Sequence, residues 1–366
     1  MYKVKIATIK EFKESKDIWN KLALSTNIPS IFCTWEWIYT WWEHFGEKYE
    51  PLILFIYKDT ELFGILPLVS RKAIFKNGWL TGGILSYCGS NELYPDHLDI
   101  ICAKEDAEQC VQAVLNFLSS EYKDWDVLNI SLFSEESNLM LCANTNSKLT
   151  TVIKSNTSAP FITLNRTFED YIGAFGHKKR YDLRKKQKRL CEGHKVEYTS
   201  YDPLQLTEGI KALFYLHELR ARSKKIESTF KGKQLFNFHN TLAERISKND
   251  WLWLRFLKNN SGEIISAFYG FALNGHLFYY QLGIDPEWEP YSPGIVLFYE
   301  VIKETFSKNY KEFDFLRGNE EYKGRWTQNS RALYAGTIYN KTLKANLSKT
   351  ITQTKDSIKN NLKRFI

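Results

Sequence analysis

The sequence predicts an α/β (α+β) protein in which one structural unit is used twice. Two observations carry this. Lys123-Asp124-Trp125-Asp126-Val127-Leu128 is echoed by Lys311-Glu312-Phe313-Asp314-Phe315-Leu316, with three identities and three conservative changes. Each copy also closes the same run of elements: a meander of strands, a helix and a last strand. The hairpin turns of the two runs lie about 200 positions apart, and the last strands lie 188 apart. Offsets that agree in this way are what a duplicated unit produces.

Taken in order, residues 2–6 alternate as a strand. In 30–45, Trp35, Ile38, Trp42 and Phe45 recur at spacings of three and four and mark one helical face. Pro51 opens a strand over 52–57, a polar turn follows at 58–61, and 62–69 returns as a hairpin. Strand-like runs lie near 80–86 and 98–102. Residues 106–120 read as a helix with Val111, Val114, Leu115 and Leu118 on one side, and 127–132 closes the first unit. The Ser-, Asn- and Thr-rich stretch 134–158 reads as a junction. The second unit has strands at 251–257 and 264–273 around a turn at 259–262. Asn274-Gly275 is the strongest short hairpin signal and leads to a strand at 276–283. A loop over 285–293, a helix from Gly294 to about Phe306 and a strand at 313–316 follow. The expected boundaries are 1–150, 151–340, and a basic amphipathic helix at 341–366.

A chain of 366 residues, 43% hydrophobic and 25% charged, has room for two cores. The net charge of +8 favours an anionic partner without choosing one. Six cysteines, at 33, 88, 102, 110, 142 and 191, lack Cys-x-x-Cys spacing and read as buried thiols. The N-terminus has no apolar signal-peptide core, and no run reaches the length of a membrane span. The protein is therefore expected in the cytoplasm.

Two basic segments stand out. In 178–189, eight of twelve residues are basic and one is acidic. Leu183 and Leu190, a heptad apart, fit a helix on a surface. Its charge suits a solvated face, a nucleic-acid contact or an anionic ligand. In the tail, Leu347, Ile351, Ile358 and Leu362 recur at helical spacing among Lys349, Lys355, Lys359, Lys363 and Arg364. Such a helix docks on the body, or rests on an anionic membrane surface at its inner face.

The loop Glu289-Pro290-Tyr291-Ser292-Pro293-Gly294 connects a strand to a helix. Pro293 suits a first helical position. Gly294 lets a ligand approach the backbone, and free N–H groups at a helix start receive phosphate. A meander, such a turn, a helix and a strand ending in Asp and Arg together resemble the GNAT acyltransferase fold. The resemblance implies two tandem GNAT-like (acyl-CoA N-acyltransferase) units, each a mixed, mostly antiparallel sheet flanked by helices. It also implies that acetyl-CoA or another acyl-CoA inserts between splayed strands at 277–283 and 313–316. Cofactor contacts then fall on Leu282, Gly283, Tyr291, Ser292, Pro293, Gly294 and Ile295. The usual GNAT turn has Gln or Arg and two glycines; here Ser292 replaces the first glycine.

Two units in tandem resemble the Fem-like acyltransferases, and most closely the bacterial GNAT proteins linked to cellulose and exopolysaccharide biosynthesis. The phrases that carry this are Pro29-Ser30-Ile31-Phe32 with Trp35-Glu36-Trp37, Arg180-Tyr181-Asp182-Leu183-Arg184, Leu216-His217-Glu218-Leu219-Arg220 and Phe238-His239. The Tyr291–Gly294 turn and the ending at Asp314, Arg317, Gly318, Tyr322, Lys323 and Trp326 complete the set. Fem relatives move amino acids from aminoacyl-tRNA, and Lys323 matches their essential lysine.

Acyl transfer needs a base, oxyanion donors and a grip on charged substrate. Backbone N–H groups near Leu282 and Gly283 suit the oxyanion. Asp314, His239 or His217 suits the base, and Arg317 and Lys323 suit an anionic group. Asp314 equally suits a structural network with Arg317 or Lys323, and the histidines equally suit packing. Trp35, Trp37, Asp96, His97, His217, Arg220, Tyr322 and Trp326 are acceptor-site candidates. The Trp-rich helix equally suits a core. No metal-ligand spacing and no nucleophile elbow occurs. The reading is an acyl-CoA-dependent N- or O-acyltransferase, transferring acetyl above other groups, directly from the thioester to a sugar, polysaccharide or cell-envelope precursor. The second unit holds the donor, and the first unit with the intervening cleft holds the acceptor. One alternative is a Fem-type transferase using aminoacyl-tRNA, although no long helical arm is evident between 190 and 250. A non-catalytic assembly protein on a degenerate GNAT fold is another.

Overall fold

The structure, a computed structural model, describes residues 2–74, 81–143, 145 and 149–363, with side chains to 354. The chain forms two compact units, residues 1–158 with 331–366, and residues 159–330. The tail expected as a separate segment, 341–366, thus groups with the first unit.

Unit 1 begins with β1 (Tyr2–Ile6), α1 (Ile9–Glu14), α2 (Lys16–Ser25) and α3 (Trp35–Phe45). Thr34 caps α3 by accepting from the Trp37 N–H. The indole N–H groups of Trp19, Trp35 and Trp41 donate to Cys33 O, Phe12 O and Glu92 Oε2 at 2.9, 2.9 and 3.0 Å. These partners let large aromatic rings be buried without orphaned donors. Next come β2 (Glu50–Lys58), β3 (Glu61–Ile74), β4 (Thr81–Tyr87), β5 (Ile101–Cys102), α4 (Ala107–Ser120) and β6 (Val127–Ser134). Leu80, expected at the start of a strand, lies outside the described residues. The stretch read as a junction holds a 14-residue strand, β7 (Thr150–Thr163). Its middle is exposed and polar, so composition pointed to a loop, while its Thr, Val and Ile favour extended backbone.

Unit 2 contains α5 (Phe168–Gly173), α6 (His177–Lys188), β8 (Glu197–Ser200), α7 (Leu206–Ser223), α8 (Lys233–Ser247) and β9 (Leu252–Lys258). Then come β10 (Ile264–Leu273), β11 (His276–Ile284), α9 (Pro293–Ser307), β12 (Glu312–Asp314) and α10 (Glu321–Gly324). Asn274 and Gly275 take φ values of 47° and 82°, as a type I′ hairpin turn requires. β13 (Ser330–Tyr339) and α11 (Leu343–Lys363) end the chain.

The sheet of unit 1 runs β1-β2-β3-β4-β6-β13, with β5 beside β3. That of unit 2 runs β8-β9-β10-β11-β12-β7. The described pairings are antiparallel except β4 with β6 and β11 with β12, each parallel over three residue pairs. The strands the echo announces, β6 and β12, therefore hold the same place in each sheet, although their parallel ladders, at 127–129 and 312–314, are offset by three positions from the echo's own alignment. The closing strands come from unexpected parts of the chain. The last three residues of β7, a strand that begins before unit 2 and ends within it, pair with β12, and β13, which starts at the end of unit 2, pairs with β6.

The tail is tied down at its start. Asn340 Nδ2 donates to Trp125 O at 2.8 Å, and the Thr342 hydroxyl bonds the Asp126 carboxylate. Ala345 is buried and Leu347 is half-exposed. The side chains of Lys355, Ile358, Lys359, Leu362 and Lys363 and all of Arg364 lie outside the description. Among the described residues no helix is long and apolar enough to cross a membrane. All six cysteines are free thiols, and five are buried.

In unit 2, alternate side chains separate the sheet faces. Trp253, Phe268, Leu277, Tyr279 and Phe313 pack with Val296, Leu297 and Phe298 of α9. On the other face, Leu254 and Phe256 lie under Gly209 of α7, and Tyr269 meets His239 of α8. Residues 190–250 thus hold two helices, which pack on each other, and α7 lies against β10 and β11.

Candidate functional site

β11 and β12 are paired at His276↔Glu312, Leu277↔Phe313 and Phe278↔Asp314, and then part. β11 continues to Ile284 against β10 alone. The register with β10 shifts at Tyr269/Gly270, leaving Tyr280 as the extra residue of a bulge. A bulge bends its strand and sharpens the divergence. β12 stops because the chain turns. Leu316 takes φ 56° and Gly318 takes φ 109°.

A clasp holds that turn. Asp314 Oδ1 accepts the Leu316 N–H at 2.6 Å. Lys323 Nζ donates to Leu316 O at 3.3 Å and to Arg317 O at 2.5 Å, and pairs with Glu320 at 2.9 Å. A left-handed leucine costs about 1 kcal/mol or more, and these charged hydrogen bonds offset it.

Beside the free end of β11 lies a cleft of about 870 Å³, lined from β11, α9, α10 and the residues after α10 rather than from β12. Its apolar wall is Leu282, Ile284, Phe298 and Trp326, and the start of α9, Ser292 to Ile295, stands at one side. α9 has no side-chain cap and no acid in its first turn. Such a start receives negative charge. Ser292 turns the chain into α9 at φ 59°. A Cβ on Gly294 would sit 2.6 Å from Ile284 Cδ1, so glycine permits the close approach of α9 to β11.

The open edge of β11 supplies donors. Asp285 N–H bonds Ile265 O at 2.9 Å. By alternation Gly283 N–H also faces β10, whereas the Leu282 and Ile284 N–H groups face the cleft, where the Leu282 N–H donates to Gln281 Oε1 at 3.4 Å, a long bond that a ligand oxygen can replace. Gly283 itself packs elsewhere: a Cβ there would lie 2.8 Å from Leu216 Cβ of α7.

Two phenols meet in the cleft. Tyr322 and Tyr279 both line it, beside Arg220. Burial pushes Tyr279 up to about 12. Burial and the neighbouring phenol push Tyr322 higher still. Both are therefore protonated at neutral pH. Lys179 and Arg325 add positive charge, against Glu289 and Glu321. Burial and then Arg325 hold the Lys179 ammonium below its ordinary range. Arg325 Nη1 lies 3.3 Å from Asp182 Oδ2.

The cleft brings together Leu282, Ser292, Pro293, Gly294, Ile295, Arg220, Tyr322 and Trp326 from the expected set. Tyr291 turns away, its ring 4.2 Å from that of His194 and 4.7 Å from the Arg189 guanidinium. Asp314 and Lys323 are buried in the clasp, and Arg317, half-buried, joins it through its carbonyl. His239 is enclosed on the face opposite α9, with Nδ1 3.3 Å from the Tyr269 hydroxyl. Burial pulls it down to about 3, so it is neutral. His217 Nδ1 lies 3.0 Å from Ser228 Oγ, and burial lowers its pKa. In unit 1, Trp35 and Trp37 are buried in the core beside Tyr39 and Phe32. Asp96 and His97 are buried in a loop where His97 takes φ 51°. Their carbonyls lie 3.5 Å from Ser30 Oγ and 3.6 Å from Cys33 Sγ.

Sequence reasoning passed over Tyr279, Ile284, Phe298 and Arg325 as site residues and took Lys179 only within the basic segment 178–189. Ile284 alternates with Leu282 along β11, which is the signal that would have found it; Tyr279 shares that face only because the bulge at Tyr280 shifts the alternation. Among the described residues no group of three or more His, Cys, Asp or Glu is placed to hold a metal ion.

Residues 177–324 match the family described as "Acetyltransferase (GNAT) domain". No curated protein matches the chain in sequence. Among solved structures, FemX superposes with a TM-score of 0.65 at 10% identity, over 95% of this chain and 99% of that one. A conserved protein of unknown function from Bacteroides thetaiotaomicron gives 0.58 at 11% identity, over 93% and 100%. L-PGS from Bacillus licheniformis gives 0.53 at 12% identity, over 86% and 95%. At these identities the likeness is one of fold: two GNAT-like units in tandem, the second carrying the acetyltransferase-domain match.

Proposed function

We propose that this protein transfers an acyl group, acetyl above others, from acyl-CoA to an amine or hydroxyl of a sugar, polysaccharide or cell-envelope precursor. The splay of β11 from β12 beyond Phe278 and Asp314, with the uncapped start of α9 beside it, supports the reading most strongly. An extended thioester arm fits between the strands as a surrogate strand. Its carbonyl oxygen meets the Leu282 and Ile284 N–H groups, and its diphosphate meets the start of α9.

The chemistry follows from residues in the cleft. The acceptor nitrogen or oxygen attacks the thioester carbonyl, the carbon–sulfur bond breaks, and the acceptor proton leaves through Glu321 or water. The thiolate takes a proton from the Tyr322 phenol, which burial keeps protonated, and the phenolate so formed regains a proton from Glu321 or from water, so that the acceptor's proton is accounted for. The enzyme forms no covalent intermediate. Asp314 and Lys323 act as positioning residues that end β12 and so open the cleft.

The alternative donor is aminoacyl-tRNA, as the Fem resemblance implies. The basic helix α6 favours it. The packing of α7 and α8 on the body, rather than as a projecting arm, favours acyl-CoA. Thermal shift separates them. Acetyl-CoA at about 100 times its Kd adds ~2.7 kcal/mol of stability, and aminoacyl-tRNA adds none. A shift with aminoacyl-tRNA alone reverses the assignment.

A further inference from the structure

A second pocket of about 570 Å³ lies in unit 2, among the end of β7, α5 and the first turn of α6. Its lining includes Arg166 and Lys179 and contains no Asp or Glu. Neither cation pairs with a carboxylate among the described residues; Arg166 lies 5.5 Å over the Tyr171 ring and Lys179 3.4 Å over the Phe175 ring. The start of α6 points the same way. Its N-cap is Gly176, with no side-chain cap, and its first turn is His177, Lys178 and Lys179 with no acid. Cations at a helix N-terminus oppose the macrodipole, and a bound anion satisfies both. The loop before α6 is held in place, since Arg180 Nη1 donates to Gly173 O at 2.8 Å and to Phe175 O at 2.5 Å. The pocket shares Lys179, Gly324 and Trp326 with the cleft. The two cavities therefore lie side by side in unit 2, with these residues as a common wall.

We propose that this pocket is a second anion site, taking a phosphate or diphosphate group of one of the two substrates. The proposal rests on the reading above only in naming those substrates. The group comes either from the CoA donor or from a phosphorylated acceptor.

The test is calorimetric titration of the full chain with inorganic pyrophosphate, in the parent, Arg166→Gln and Ala174→Glu. Both positions are exposed, and Ala174 lines the pocket, so a carboxylate there repels the anion. Each variant should bind one equivalent fewer than the parent, or bind it at least about 10-fold more weakly, and Arg166→Lys should restore part of the loss. The titration is repeated with the cleft saturated by CoA and then by dephospho-CoA. Blockade by either assigns the pocket to the donor; no blockade assigns it to the acceptor. A direct CoA isotherm run alongside shows separately whether the donor reading holds. Identical pyrophosphate isotherms for parent and both charge-altering variants, flat or not, overturn the proposal.

Discussion

Phe278 and Asp314 are the last residues at which β11 and β12 are paired, and everything the cleft can do depends on the strands parting there. The parting is built by the turn after Asp314 and by the bulge at Tyr280. Two residues that looked catalytic, Asp314 and Lys323, make the opening rather than line it.

Lys323→Ala should therefore lose stability as well as transfer. Removing a buried ammonium that bonds two carbonyls and Glu320 costs about 3 kcal/mol. Denaturant melts should stay cooperative with a lowered midpoint. A variant that keeps its midpoint while losing turnover would instead mark Lys323 as a group acting directly on substrate.

Tyr322→Phe should lower kcat by about 100-fold, the scale of one general acid, with KM for the thioester little changed. Tyr279→Phe should lower it less, because Tyr322 keeps its own proton. Since both phenols sit above the ordinary tyrosine range, neither should impose an alkaline limb below about pH 10. Steady-state pH profiles check this; a limb near neutral pH that vanishes in Tyr322→Phe contradicts it.

Gly283→Ala should unfold the protein more easily without altering the cleft. The added methyl meets Leu216 Cβ at 2.8 Å and Leu213 O at 3.2 Å, so α7 must shift, at a cost of about 2 kcal/mol. Thermal melts should show the loss, while donor affinity of the folded fraction stays within about twofold.

Glu304 gives unit 2 a defined acid limit. Burial alone would raise its pKa, but hydrogen bonds from Arg255, at 2.8 Å each, and from Tyr198 outweigh that and bring it to about 2. A depressed carboxylate contributes stability that is complete above its unfolded value of 4.5 and is lost as pH falls through 2. The contribution is about 3 kcal/mol. Glu304→Gln should thus be most destabilising at pH 7 and approach the parent below pH 4.5 in denaturant titrations.

Much of this fold is legible in the sequence. Asn274-Gly275 declares its hairpin because two positive φ values admit few residues. The echo at 123–128 and 311–316 marks strands with the same neighbours because both must start beside a parallel partner. β7 was hidden because an exposed strand need not look apolar. The site was half legible. The α9 start announced itself through Pro293 and Gly294. His239 misled because a polar side chain says nothing about which sheet face holds it. Lys179 and Arg325 were lost among other cations, since charge alone does not show which of them faces a cavity.

The central claim is that a thioester donor lies between β11 and β12. Leu282→Trp tests it, because Leu282 points into the cleft and the larger ring fills it. In calorimetric titration with acetyl-CoA, the parent should bind one equivalent and Leu282→Trp, folded by its melting curve, should bind none. Equal binding by both proteins, or no binding by the parent, would contradict the account.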